Sequence, residues 1–179
     1  GTAGEAPQQA PRTVCYWGQP IALVVAETFE QARDAAKHLK VEYRVEEGAP
    51  LDPDAAEREE QDDETVHQGD LDHAMSAAAH SVDLTYTTKG HASAAMEPHA
   101  AIAEWDSDKL TVHASLQMPN YNISELADSL DLDEEQIRLV SRFVGGGFGS
   151  KLGVSEDVVA ASIAAMELGR PVRVVMSRQ

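Results

Sequence analysis

The sequence predicts an α+β chain: a β-α-β unit, then an acidic break, then a longer mixed α/β portion. Three observations carry this. Residues 20 to 47 read strand, helix, strand in quick succession; a charge run at 56–64 interrupts all periodicity; and beyond it an apolar strand pattern runs into "VGGGFGSK" and then a capped helical pattern. Changes of hydrophobic period from two to 3.6 and back are the signature of alternating strands and helices.

At 179 residues the chain can bury a core of ordinary size. It carries 14 Lys plus Arg against 31 Asp plus Glu, a net charge of −17, so nucleic acid and anionic bilayers are repelled over most of its surface and are excluded as partners. One cysteine, Cys15, can form no internal disulfide and cannot by itself hold an iron–sulfur cluster or a structural zinc. The seven histidines show no metal-ligand spacing, so no metal ligands are assigned. No apolar run approaches 18 residues, which predicts no membrane span; a cytoplasmic location is the first expectation and a periplasmic one the second.

The opening "GTAGEAPQQAPR" lacks periodicity and reads as a loop. Ile21 to Ala26 form a continuous apolar run short enough for a buried strand. Thr28 then caps a helix with Phe29, Ala32, Ala35, Ala36 and Leu39 on one face, and Gln31 completes a capping box. "VEYRVEE" alternates Val41, Tyr43 and Val45 with charges, as a half-exposed strand does. The run "AEREEQDDE" reads as a solvated connector, which divides the chain into 1–55, an acidic linker at 56–66, and 67–179.

Asp70 caps a short helix, "LDHAMSAAAH", and Val82, Leu84 and Tyr86 alternate in the strand pattern that follows. "AAIAEWD", a two-residue turn and "KLTVHASLQ" predict a hairpin with Leu110, Val112 and Ala114 on one face and Thr111, His113 and Ser115 on the other. Next come a helix over about Ser124 to Leu130, an acidic turn, and a strand from Ile137 to Val144. A last helix runs from Ser155 to about Leu168, is ended by Gly169 and Pro171, and leads into a strand at "VRVVMS".

Four glycines in the five positions 145 to 149 demand a reason, since each costs about 0.5 to 1 kcal/mol of backbone entropy and one would serve a simple turn. Close approach of a ligand to bare backbone N–H groups supplies one. A nucleotide loop of the G-x-x-x-x-G-K-[ST] type fails because Ser150 holds the sixth position and Leu152 follows Lys151. A dinucleotide fingerprint fits incompletely: Ser150 replaces its last glycine, and Glu167, at the spacing of the ribose acid, lies in a helical pattern.

"VGGGFGSK" resembles the molybdopterin loop in the large subunit of the xanthine dehydrogenase and aldehyde oxidase family. "GQPIALVVAETFEQARDAAKHLKVEY" is similar to the second half of that family's α/β hammerhead domain, and "MEPHAAIAEWDSDKLTVHASLQ" and "GRPVRVVMSRQ" are similar to strands of its molybdenum domain. The resemblance runs from about Val14 to the end. It implies a hammerhead remnant followed by the first part of a cofactor-binding domain. Molybdopterin with molybdenum, in the cytosine dinucleotide form, is the implied cofactor.

The resemblance places Gly146, Gly147, Phe148, Gly149 and Gln117 at the cofactor. It gives Gln117 and Phe148 catalytic positions, Gln117 hydrogen-bonding an oxo ligand and Phe148 beside the substrate channel. Glu97 and His99 of "MEPH" receive a structural or channel-lining role. Purine hydroxylases of the family tend to carry a glutamate after the loop lysine; Leu152 stands there instead, and this shifts the expected substrate toward an aldehyde or related carbon centre.

The family's general base lies far toward the C-terminus, beyond any region matching this chain, so the chain alone is expected to be inactive. The implied partners are the rest of the molybdenum subunit, iron–sulfur and flavin (FAD) domains or subunits, and a small-molecule substrate. Two other readings stand beside this one: a folded fragment that is not catalytic and binds no cofactor, and a nucleotide-binding βα module.

Overall fold

The structure is a computed structural model, and it describes residues 13–14, 16–45, 66 and 68–177. The chain divides into two compact units, Lys40–Gly90 and the remainder.

The larger unit is built on a four-stranded sheet whose strands β1 (Ala100–Asp106), β2 (Lys109–Ala114), β3 (Ile137–Val140) and β4 (Val172–Val175) lie in the order β3-β2-β1-β4. Strands β1 (Ala100–Asp106) and β2 (Lys109–Ala114) form the expected hairpin. Its two-residue turn holds Ser107 at φ 61, the left-handed backbone that such tight turns require. Burial alternates along β2 as the sequence predicts, with Leu110 and Val112 inside and His113 exposed.

Helix α3 (Pro119–Leu130) carries the chain from β2 to β3 (Ile137–Val140), which lies parallel to β2, because parallel neighbours need a crossover. The helix starts five residues before the predicted Ser124. Pro119 reads as a breaker in sequence but sits in the first turn, where its missing N–H goes unused. Asp131 ends the helix in the left-handed region at φ 54.

Helix α4 (Glu156–Leu168) is capped at Ser155 and ends at Gly169, φ 58, as predicted; β4 (Val172–Val175) then pairs antiparallel with β1. Both helices cover one face of the sheet. Leu110, Val112, Leu126, Val158, Val159 and Ala161 are almost wholly removed from water, and alanines on the inner faces of β1 and α4 let helix and strand approach closely. Ile137, the start of β3, belongs to this core, but the ladder stops at Val140 and not at Val144. Past that point the Ser141 hydroxyl brackets the Leu116 N–H and C=O, and the chain leaves the sheet for the glycine loop.

Helix α1 (Phe29–Lys37) carries the predicted capping box, in which Thr28 and Gln31 exchange backbone and side-chain hydrogen bonds of 3.2 Å. Its apolar stripe is not buried: Phe29 is exposed, and Arg33 stacks 5.4 Å from its ring centre. Among the described residues the flanking segments 21–26 and 41–45 carry no ladder pairing. A strand needs a hydrogen-bonding neighbour, and alternation of side chains alone cannot provide one.

In the smaller unit, Asp70 caps α2 (Leu71–Ala77) by accepting from His73 N at 2.9 Å. Val82, Leu84 and Tyr86 are exposed and unpaired in a ladder, for the same reason. The acidic run 56–64 lies outside the described residues.

Candidate functional site

The glycine loop, residues 144–151, folds against two other segments of the larger unit: the turn at 93–97 and the segment 115–117 that follows β2. Each glycine has a local cause. A Cβ on Gly145 would stand 2.6 Å from the Glu97 Cβ, and one on Gly147 would enter the Gln117 carboxamide, 2.7 Å from its Cδ. Gly146 and Gly149 adopt φ +97 and +93, in the region disfavoured for other residues. The density of glycine therefore has an intramolecular explanation that turning alone did not offer, and the glycines by themselves do not require a ligand.

Gln117 is stitched to the loop. Its backbone N–H donates to the Lys151 carbonyl at 2.8 Å, and its Oε1 accepts from Gly149 N at 3.1 Å and Lys151 N at 3.4 Å. Two donors facing one carboxamide atom fix that atom as the oxygen. The amide Nε2 consequently has no partner among the described residues. Neither do the N–H groups of Gly146, Gly147 and Phe148.

Phe148 sits at φ 52 and is 78% exposed. A large side chain in this backbone region is strained by about 1 to 3 kcal/mol unless its surroundings hold it there. The Ser93 hydroxyl helps to do so by donating to the Phe148 carbonyl at 2.9 Å.

Beneath the loop lies a charged cluster. Lys151 is fully buried, and its Nζ donates to Glu97 Oε2 at 2.6 Å, to the Glu97 carbonyl at 3.3 Å and to Ser115 Oγ at 3.3 Å. The same Oε2 accepts from Ser115 Oγ at 2.5 Å and from Gly145 N at 2.8 Å. Contact with the Lys151 ammonium first, and then the Ser115 hydroxyl and the Gly145 amide, lowers the Glu97 pKa to about 2 against a smaller opposing effect of burial. The sequence had given Glu97 a structural or channel-lining place, and Lys151 and Ser115 none. A lysine closing the glycine loop, after Gly149 and Ser150, was the available signal, but burial of its ammonium cannot be read from sequence.

On the other side of the loop, Asn122 and Glu125 of α3 hold its exit. Asn122 Nδ2 donates to the Leu152 carbonyl and to Glu125 Oε2, both at 2.9 Å, while Val154 N donates to that carboxylate at 2.8 Å. The sheet face away from the helices carries an open cavity of about 520 Å³, lined among others by Glu97, Ser115, Ile102, Arg142, Phe143 and Arg173. His113 also borders it, while His99 does not.

The residues expected from sequence at the cofactor, Gln117 and Gly146 to Gly149, are thus brought together in space. Their chemistry is that of amide donors beside a neutralised ion pair, which suits an anionic, oxygen-rich group. Among the described residues no cluster of three His, Cys, Asp or Glu could ligate a metal ion.

Two family models match the chain. Residues 3–47 match the a/b hammerhead domain of aldehyde oxidase and xanthine dehydrogenase, and residues 51–179 match the molybdopterin cofactor-binding domain. The chain belongs to the xanthine dehydrogenase and aldehyde oxidase family.

Family relatives align along nearly all of it. The aldehyde oxidoreductase molybdenum-binding subunit PaoC of Escherichia coli (strain K12) is 43% identical over 169 residues, covering 93% of this chain and 23% of that subunit. The nicotine 6-hydroxylase large subunit of Paenarthrobacter nicotinovorans is 34% identical over 189 residues, covering 97% and 23%. The nicotinate dehydrogenase large molybdopterin subunit of Eubacterium barkeri is 31% identical over 173 residues, covering 91% and 40%. The chain spans less than a quarter of the length of the first two relatives. Among the described residues no helix is long and apolar enough to cross a membrane.

Proposed function

We propose that this chain forms the cofactor-facing loop of a molybdenum hydroxylase that oxidises an aldehyde or a related carbon centre with water as the oxygen source. One observation carries the reading: the Gln117 oxygen is consumed by two loop amides, which leaves its Nε2 donor beside the unpaired N–H groups of Gly146, Gly147 and Phe148. Such donors bind oxygen anions and are ill suited to a metal cation. When bound, a molybdenum-bearing pterin in its cytosine dinucleotide form supplies the oxygen transfer and accepts two electrons.

The chain's own residues position that chemistry. Gln117 offers a hydrogen bond at a fixed orientation, the loop amides 146–148 offer neutral donors that need no reorganisation, and exposed Phe148 provides an apolar wall for substrate. Leu152, 45% exposed just past the loop, presents no polar group to a heterocycle edge, which favours an aldehyde over a purine. The names of PaoC and of the maize indole-3-acetaldehyde oxidase agree in class. Electrons leave through iron–sulfur and flavin groups on partner chains or domains, and turnover requires the remainder of the molybdenum subunit. We place the domain limits at 1–55 and 67–179, with the acidic run as connector.

The test is direct. The native complex containing this chain should yield molybdenum and, on acid release, a cytosine nucleotide in equal amounts. An active complex without either sinks the proposal. Gln117→Ala should slow turnover at constant metal content per pterin.

A further inference from the structure

Resting on that reading, we propose that Lys151 and Glu97 are the positioning residues of the cofactor loop: a buried ammonium paired with a half-exposed carboxylate, which together set the loop's shape before any cofactor arrives. Lys151 works in two directions. Its backbone C=O and N–H grip both the N–H and the Oε1 of Gln117, while its ammonium, wholly removed from water, grips Glu97. Glu97 returns the hold to the first glycine by accepting from Gly145 N at 2.8 Å, and its own N–H donates to the Gly145 carbonyl at 3.4 Å. Both ends of the loop and the donor carboxamide are thereby tied to one charge pair, with the Ser115 hydroxyl between them.

Geometry excludes a looser arrangement. The Gly145 backbone lies so close to Glu97 that no Cβ fits between them, and the Gly147 backbone does the same against Gln117. The loop is seated on these two side chains as on a mould. The ammonium is wholly removed from water, so loss of its carboxylate leaves a buried charge with only the residue-97 carbonyl and the Ser115 hydroxyl for partners. Neither residue is assigned contact with substrate or cofactor; each acts through Gly145 and Gln117.

The experiment uses the full-length subunit, prepared in a host without pterin synthesis and again in its native host, with Lys151→Met, Glu97→Gln and the double variant. Hydrogen exchange in the cofactor-free subunit is the first readout. For Lys151→Met, exchange of the Gly145, Gly149 and Lys151 amides should quicken by about 30-fold or more, with β1 and β2 unchanged, as loss of a charged hydrogen-bond anchor predicts. Pterin content in the native host should fall by roughly tenfold, since each tenfold in occupancy at limiting cofactor corresponds to a modest loss of preorganisation.

Adding Glu97→Gln should recover part of both losses, because the neutral amide still accepts from Gly145 and no longer leaves a charge unpaired. A residue with only a general packing role would show no such recovery and would loosen β1 and β2 as well. Wild-type exchange in both single variants overturns the proposal. If Lys151→Met does not accumulate as folded subunit, Ser115→Ala decides: loop exchange faster by about 3- to 10-fold supports the pair, and unchanged exchange overturns it. Absence of pterin from the wild-type subunit in its native host counts against the proposed function alone, because the exchange measurements do not involve the cofactor.

Discussion

Replacing Gly147 with alanine tests the seating of the loop with a single methyl group. The new Cβ enters the Gln117 carboxamide, 2.7 Å from Cδ and 3.0 Å from Cγ. The backbone at 147 is not in the left-handed region, so the cost is one of space. Either the loop lifts or Gln117 swings out, and swinging out abandons the bonds from Gly149 N and Lys151 N. Two hydrogen bonds at about 1 kcal/mol each, plus about 1 to 2 kcal/mol of overpacking, give a local penalty of about 3 to 4 kcal/mol. At a factor of ten for each 1.4 kcal/mol, the Gly149 and Lys151 amides should exchange roughly 140- to 700-fold faster. Hydrogen exchange by mass spectrometry on the intact subunit reads this directly. Gln117→Ala in the same background should relieve the clash, so the two changes together should cost less than their sum. Wild-type protection in Gly147→Ala, or strict additivity in the pair, would refute the seating of Gly147 on Gln117.

Further expectations concern the charges and amides around the loop. Glu97 has a folded pKa depressed to about 2, so its contribution is fully present above the ordinary carboxylate value near 4.5 and is lost as pH falls toward 2. With a side chain 36% exposed, solvent screening reduces that contribution to about 1 to 2 kcal/mol, and Glu97→Gln should flatten the acid limb of a thermal-midpoint titration. Asp157 behaves oppositely: burial raises its pKa, only partly offset by the Ser155 hydroxyl, so its ionisation costs stability as pH rises past the ordinary carboxylate range. Asp157→Asn should therefore be within about 1 kcal/mol of wild type at neutral pH in a denaturant titration, despite the loss of an acidic group from the first turn of α4. Asn122→Ala removes the donor to Leu152 O and Glu125 and should destabilise by about 1 to 3 kcal/mol, with faster exchange at Val154 as the local sign.

The sequence made some parts of this architecture plain and hid others for definite reasons. Local signals were sufficient where the chain satisfies itself: the Thr28 box, the Asp70 cap, the hairpin turn and the Gly169 stop depend on neighbours within a few residues. Among the described residues no ladder forms at 21–26, where the apolar run is continuous, or at 41–45 and 82–86, where it alternates, because a ladder partner has to come from elsewhere in the chain. At the site, glycine density marked the right loop, yet its most immediate causes, Glu97 and the Gln117 carboxamide, are 48 and 30 residues from the glycines they exclude from growing a Cβ. No spacing rule connects such positions. A fully buried lysine was still less visible, because Lys is ordinarily a surface residue and only the fold reveals that Lys151 is covered.

The long reach of these contacts has a consequence in time. Residue 97 must find 145 across the hairpin, the crossover helix and the third strand, and 117 must find 151 across the helix and that strand, so these long-range loop closures come before the donor array exists. A half-made chain offers an anionic guest nothing to grip.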